Sequence, residues 1–302
     1  MALIRKTALR RAGAPKSKRI KEYMALKSIK RKLPSFMVNI CAVFGIVLGV
    51  VILVNFLFSG KIPKSAVDDL TGFRVPYTAV SSLLALSEKY DLDFAEVLTV
   101  FSLENNFFPE KTLVETDAKS IEKKYILNYT NIKESYAKDK FNGYYELFSG
   151  IVEDIIYFPI PYGYGEYMYG DSFKGTWDEK SFGCDIFDRE NIRGRLPVVS
   201  MTDGIVEKSG YSGTDGYYVT VRSLSGGEYY YSRFEKLADG LSDGIDIKAG
   251  SVLGFMGEAK SASSVSLYVA ISPNTSLFRE KIWINPYVFL RVSEEQNRLI
   301  AK

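Results

Sequence analysis

Residues 181–187 read Ser-Phe-Gly-Cys-Asp-Ile-Phe and set a thiol, Cys184, beside a carboxylate, Asp185. Either group is a metal ligand in the right company. A catalytic zinc needs three protein ligands and an open position for water, with neutral imidazole as the usual nitrogen donor. The 302-residue chain contains no histidine. Cys184 does not make up the shortage, because neighbouring residues of a strand point to opposite faces and make poor co-ligands. Serine and tyrosine hydroxyls are weak zinc donors, and a lone carboxylate does not hold zinc against water. The stretch therefore has the form of a metal-binding hairpin whose first ligand is missing. Glu104, in Ser-Leu-Glu-Asn-Asn-Phe-Phe-Pro (102–109), is the other residue placed to do chemistry. With a raised pKa it would serve as a general acid. The plainer reading is an ordinary glutamate near a helix end.

Hairpins must position the first of these groups. Tyr217 to Arg222 alternates, with Val219 and Val221 on one face and Thr220 and Arg222 on the other. Ser225-Gly226-Gly227 makes a turn, and Tyr229-Tyr230-Tyr231 starts the returning strand. Asp243-Gly244 and Ala249-Gly250 bracket a further short strand, followed by apolar runs at 252–257 and 266–272. This texture predicts an antiparallel all-β domain over residues 171–292, with a C-terminal tail at 293–302. Before it, residues 59–157 read as a small helical domain. Val80, Leu83 and Leu84 have helical spacing. Asp93 and Glu96 form a capping-box-like start to an apolar stripe of Phe94, Val97, Leu98 and Phe101. A later helix carries Phe141, Tyr144, Tyr145, Phe148, Ile151, Val152 and Ile155 on one side. Residues 158–170, rich in Pro, Gly and Tyr, read as a connector. Its Tyr162, Tyr164, Tyr167 and Tyr169 are candidates for stacking on a glycan or a partner, or for packing across the mouth of the β domain.

Charge and hydropathy place these domains. Residues 1–32 carry twelve Lys or Arg against one acid, +11, while the other 270 residues sum to −8, for a net charge of +3. Residues 36–58 contain no charge. A helix of that length spans roughly 35 Å and crosses a bilayer core of about 30 Å. The basic head, residues 1–35, then reads as a cytoplasmic topology signal rather than a nucleic-acid arm, and the body lies outside. The two cysteines, Cys41 in the apolar run and Cys184 in the body, do not pair. An exported domain without a disulfide fits a bacterial surface.

The segment 169–290 resembles peptidase family M23, the LytM or lysostaphin-type peptidoglycan endopeptidases. Six stretches carry the likeness in order: SFGCDIF, LPVVSMTDGIVEKSG (196–210), YYVTVRS to SRFEKL (217–237), IKAGSVLGFMG (247–257), VSLYVAI (265–271) and WINPYVFL (283–290). The resemblance implies a β domain of the duplicated hybrid motif type, which with the transmembrane helix and the small helical domain makes an α+β chain. In active relatives it implies zinc. The three ligand positions fall on Ser181, Asp185 and Tyr268, and the two assisting histidines on Arg233 and Ser266. One ligand of three survives. Arg233 instead brings a planar cation to the site, expected within ~4 Å of Asp185.

A membrane-anchored, non-catalytic module is therefore expected, with no zinc or other cofactor. Its expected partners are the membrane, crossed once with the N-terminus inside, and peptidoglycan or a cell-envelope complex. No nucleic-acid partner is expected, and an oligomer is allowed. Family members lacking the ligands include activators of septal amidases and the engulfment-channel component of sporulating bacteria. Two enzyme readings stand against this. One is an active M23 endopeptidase. The other is a glycan hydrolase acting through Glu104, since residues 87–110 resemble the start of lytic transglycosylase domains.

Overall fold

Pro76 precedes helix α1 (Tyr77–Tyr90), and Asp91, at φ 52°, closes it with its N–H turned back on the last carbonyls. Asp93 then starts helix α2 (Phe94–Glu104), its side chain accepting from the Ala95 N–H at 2.9 Å. Helices α3 (Ala118–Glu134) and α4 (Lys138–Asp154) follow. The computed structural model describes residues 69–70, 73–105, 107, 117–134, 138–171, 182–258, 263–274 and 281–300. The basic head, the apolar run 36–58 with Cys41, and Ser181 lie outside them. No helix among the described residues is long and apolar enough to cross a membrane.

The periodicity of α2 predicted a single stripe, yet Ala95, Thr99, Val100 and Ser102 are buried as well. Helices α1, α3 and α4 all pack on it, so α2 is the central rod of the helical part. Thr99 is tolerated there because its hydroxyl donates to the Ala95 carbonyl at 2.6 Å. The stripe on α4 behaves as the sequence implied, with Phe141, Tyr144, Phe148 and Ile151 buried.

Nine strands among the described residues form one antiparallel system. They are β1 (Tyr167–Tyr169), β2 (Gly183–Asp188), β3 (Pro197–Val199), β4 (Gly204–Ser212), β5 (Gly216–Ser223), β6 (Glu228–Leu237), β7 (Asp246–Ile247), β8 (Val252–Met256) and β9 (Ser266–Ser272). Their order is β1-β2-β9-β6-β5-β4-β7, with β8 pairing β3 and β6. Alternation puts Cys184, Ile186, Val219, Val221, Tyr229, Tyr231, Leu267 and Val269 in the core. The end of the connector is thus not free chain: as β1 it is the edge strand against β2.

Helices and sheet share one core. The expected C-terminal tail at 293–302 is instead the second half of helix α5 (Tyr287–Ile300), in which Ser293 and Glu294 are buried. Phe289 of α5 lies 6.3 Å from Phe73 and 6.2 Å from Phe148, ring centre to ring centre, inside the helical part. The run Tyr-Val-Phe-Leu at its start is compatible with either strand or helix, and packing on the helical part decides for helix.

Two buried carboxylates fasten the remaining seams. Glu294 accepts from the Tyr167 hydroxyl at 3.1 Å and the Tyr169 hydroxyl at 2.7 Å, and pairs with Arg291 and Arg298 at 2.8 and 3.0 Å. Asp154, at the end of α4, accepts from Ser225 Oγ at 2.6 Å and the Tyr229 hydroxyl at 3.3 Å, tying the helices to the β5–β6 turn.

Glu294→Ala removes the acceptor of two phenols and leaves Arg291 and Arg298 with Glu295 as their carboxylate, and is expected to cost about 2 kcal/mol, read as a lower urea midpoint. An unchanged midpoint would show that the cluster is dispensable. Burial pushes the Asp154 carboxyl above its ordinary range, outweighing the hydrogen bonds from Ser223, Ser225 and Tyr229. With the folded value raised, its stabilising contribution is complete below the unfolded pKa and lost as pH rises through the folded one. Asp154→Asn should therefore flatten the fall in urea midpoint from about pH 4 upward, and an unaltered slope would assign that fall elsewhere.

Candidate functional site

The sheet face opposite the core brings the predicted positions together. Asp185 on β2 stands directly across from Tyr268 on β9, and Tyr268 across from Ser232 on β6. Ser266 lies two residues back from Tyr268 and so shares its face. Arg233 follows Ser232, and alternation alone would turn it away. The ladder slips on both sides of it, between Tyr217 and Tyr218 and between Phe234 and Lys236. Arg233 itself takes φ 70°, rare for a residue other than glycine. Its N–H donates to the Asp215 carbonyl at 2.8 Å, and its carbonyl accepts from the Gly257 N–H at 2.6 Å. These bonds hold a bulge that re-aims the side chain toward the site.

There the guanidinium is the hub. Nη1 lies 2.6 Å from Asp185 Oδ1 and donates to Ser266 Oγ at 2.7 Å. The guanidinium carbon is 5.4 Å from the centre of the Tyr268 ring. Arg233 and Asp185 side chains are only 17% and 22% exposed, so the pair is poorly screened. The expected distance of within ~4 Å is met. Burial nevertheless pushes the Asp185 carboxyl up, and the charge and hydrogen bond of Arg233 pull against it without cancelling the shift. Burial also raises the Tyr268 phenol, which stays neutral at physiological pH.

These residues do not fit zinc. Asp185 is engaged by a cation, Tyr268 is a neutral phenol and Ser266 a buried hydroxyl. Among the described residues, no three of His, Cys, Asp and Glu are grouped to hold a metal. A divalent ion about 4 Å from the guanidinium would meet a repulsion on the order of 8 kcal/mol at an effective dielectric of about 20. Cys184, as strand alternation requires, points the other way into the core, its Sγ 3.8 Å from Asn285 Oδ1.

An aromatic wall beside the pair was not legible in the motif. Tyr218 stacks on Tyr230 at 5.9 Å, and Tyr230 meets Tyr268 and Trp283 edge-on, each at 6.3 Å. Phe182 stacks on Trp283 at 6.5 Å. The signal available was spacing, since Tyr230 and Ser232 share a face at i and i+2.

The connector tyrosines divide. Tyr162 and Tyr164 are 61% and 64% exposed, while Tyr167 and Tyr169 give their hydroxyls to Glu294 and pack on Phe158 at 5.0 and 5.4 Å. Glu104 ends α2. Burial raises its carboxyl, against a hydrogen bond from Asn128 and the charge of Lys124, which is the direction a general acid needs. Its Oε1 accepts from Asn128 Nδ2 at 2.6 Å, which ties α2 to α3.

Fold and site together are similar to those of the M23, LytM type: residues 180–279 match the profile of Peptidase family M23. Among solved structures, one from Ruminococcus gnavus, assigned as a glycyl-glycine endopeptidase LytM, superposes with a TM-score of 0.56. It is 25% identical, and the match covers 75% of this chain and 90% of that one. That is more of this chain than the β domain holds, so the likeness extends into the helices. Among curated proteins, an L-Ala–D-Glu endopeptidase of Bacillus subtilis is 28% identical over 96 residues, 29% of this chain. The match spans only 28% of that relative's length.

Substituting the connector tyrosines separates fold from availability. Tyr162→Ala and Tyr164→Ala are expected to leave stability within about 0.5 kcal/mol, and Tyr169→Ala to lower it by about 2 kcal/mol or more. Equal losses in thermal unfolding at all three would show that none is available to a ligand.

Proposed function

We propose that this chain is a non-catalytic M23-type protein of the bacterial cell envelope. The uncharged run 36–58 anchors it in the membrane with the basic segment inside, and the β domain works outside as a scaffold or regulator of wall remodelling. It binds peptidoglycan or an envelope protein complex. One observation carries this reading: the Asp185 carboxylate is held by Arg233 at 2.6 Å in a chain with no histidine. Catalysis of the M23 kind asks for a polarised water on a metal held by imidazole, and no rearrangement of this chain supplies one.

The opposing reading is peptide hydrolysis, favoured by the activities named for the Bacillus subtilis and Ruminococcus gnavus proteins. Hydrolysis through Glu104 is favoured only by the raised carboxyl, and that carboxyl is occupied in joining two helices. The full chain, purified and measured for metal content, is expected to hold no stoichiometric zinc and to leave muropeptides uncut. About one zinc per chain, with digestion abolished by a chelator, would establish the endopeptidase instead. Digestion that survives the chelator and is lost in Glu104→Gln would establish the glycan hydrolase.

A further inference from the structure

Loss of metal ligands by itself would leave a domain with apolar or hydroxyl residues around a buried Asp185. The structure holds something more specific. Arg233 adopts a backbone conformation that costs a non-glycine residue energy, and two backbone hydrogen bonds keep it there. The bulge delivers one guanidinium nitrogen to within 2.7 Å of both Asp185 and Ser266. The buried Nε finds no acceptor among the described residues. The side chain is thus placed by its ion pair with Asp185 and its bond to Ser266, at the expense of leaving this donor unsatisfied.

We propose that the Arg233 guanidinium is a built-in substitute for the metal ion, and that it closes the position to zinc independently of the missing imidazoles. The cation is covalently held, so the Asp185 carboxylate is neutralised whatever the supply of metal. A planar guanidinium also suits this place sterically, because it satisfies a carboxylate and a hydroxyl at once and lies beside the Tyr268 ring. It carries no exchangeable water to activate, so a peptide carbonyl arriving here would be bound and not attacked. The consequence reaches beyond the missing reaction: Arg233 is the residue that would have to leave before any metal site returned.

Sheet register supplies the test. Tyr268 faces Asp185 across the ladder, and Ser266 lies on the same face two residues along. Ser266→His with Tyr268→His therefore adds two imidazoles to the face that carries Asp185, a three-donor set of the kind zinc takes. The full chain with these two substitutions is expected to retain less than about 0.1 zinc per chain after dialysis, and addition of Arg233→Ala to raise this to about one. Zinc loading by the double variant equal to that of the triple would overturn the proposal, as would a triple variant that loads none. Either result leaves the non-catalytic reading of the natural chain untouched, since that chain has neither imidazole.

A second measurement needs no new metal site. Urea unfolding of Asp185→Asn, Arg233→Met and the combined variant gives a double-mutant cycle. The combined variant is expected to fold with an equilibrium constant on the order of tenfold above that from independent single losses, because each single leaves a buried group without its partner. Coupling below about threefold would overturn the substitute-ion role.

Discussion

A largely buried carboxylate on a β-sheet face has to be compensated, and in this protein that requirement sets the arrangement of Arg233, Ser266 and Tyr268 around Asp185. Asp185 sits where burial already disfavours its charge. A cation in contact lowers that cost, and the chain supplies one from β6. Everything near the pair follows from this arrangement. The ladder slips around Arg233, Ser266 is small enough to sit beneath the guanidinium, and Tyr268 flanks it. The unusual backbone at Arg233 accompanies the ion pair it makes possible.

The same arrangement separates shape from reaction. The strand order and the shape of the sheet depend on core residues such as Cys184, Ile186, Val219 and Val269. Hydrolytic chemistry of the M23 kind would depend on a handful of side chains on the opposite face. Strand alternation lets the two faces diverge, because a substitution at Tyr268 or Ser266 changes the face opposite the core without moving its neighbours Leu267 and Val269 from the core. A fold can therefore be retained intact while its reacting groups are exchanged, and the Tyr218–Tyr230–Trp283 wall shows what such a face can hold instead.

Local signals in the sequence were sufficient wherever the physics is local. The Asp93 cap, the Ser225-Gly226-Gly227 turn and the alternation of β5 all stand where residue types place them. Asp185 with Arg233 was legible through the ordered motifs, although the residues lie 48 positions apart. Non-local burial was not legible. The polar-looking Thr99 and Ser102 are interior because three helices close on α2, and only tertiary packing carries that information. Helix α5 was missed for a related reason: its apolar start is too short to show a period, and its later half, rich in Glu and Arg, resembles solvated chain until Tyr167 and Tyr169 are set against Glu294. The aromatic wall joins Tyr230 to Trp283, more than fifty residues on, a pairing that no window along the chain contains.

Helix α5 also bears on how the helices and the sheet are joined. A β domain joined to a helical part only by a connector would swing about it, since interfaces of that kind default to relative motion. Here the chain returns after the last strand and buries Phe289 between Phe73 and Phe148. Asp154 clamps the exit of α4 to the β5–β6 turn, and the Ile156 and Tyr157 N–H groups both donate to the Met201 carbonyl. The end of the connector, Tyr167–Tyr169, is pinned as an edge strand against β2. Separating helices from sheet would expose aromatic core and strand buried carboxylates at the same moment, so the two parts unfold together or not at all. The sheet face that carries Asp185 and Arg233 is therefore presented at a fixed orientation to the helices.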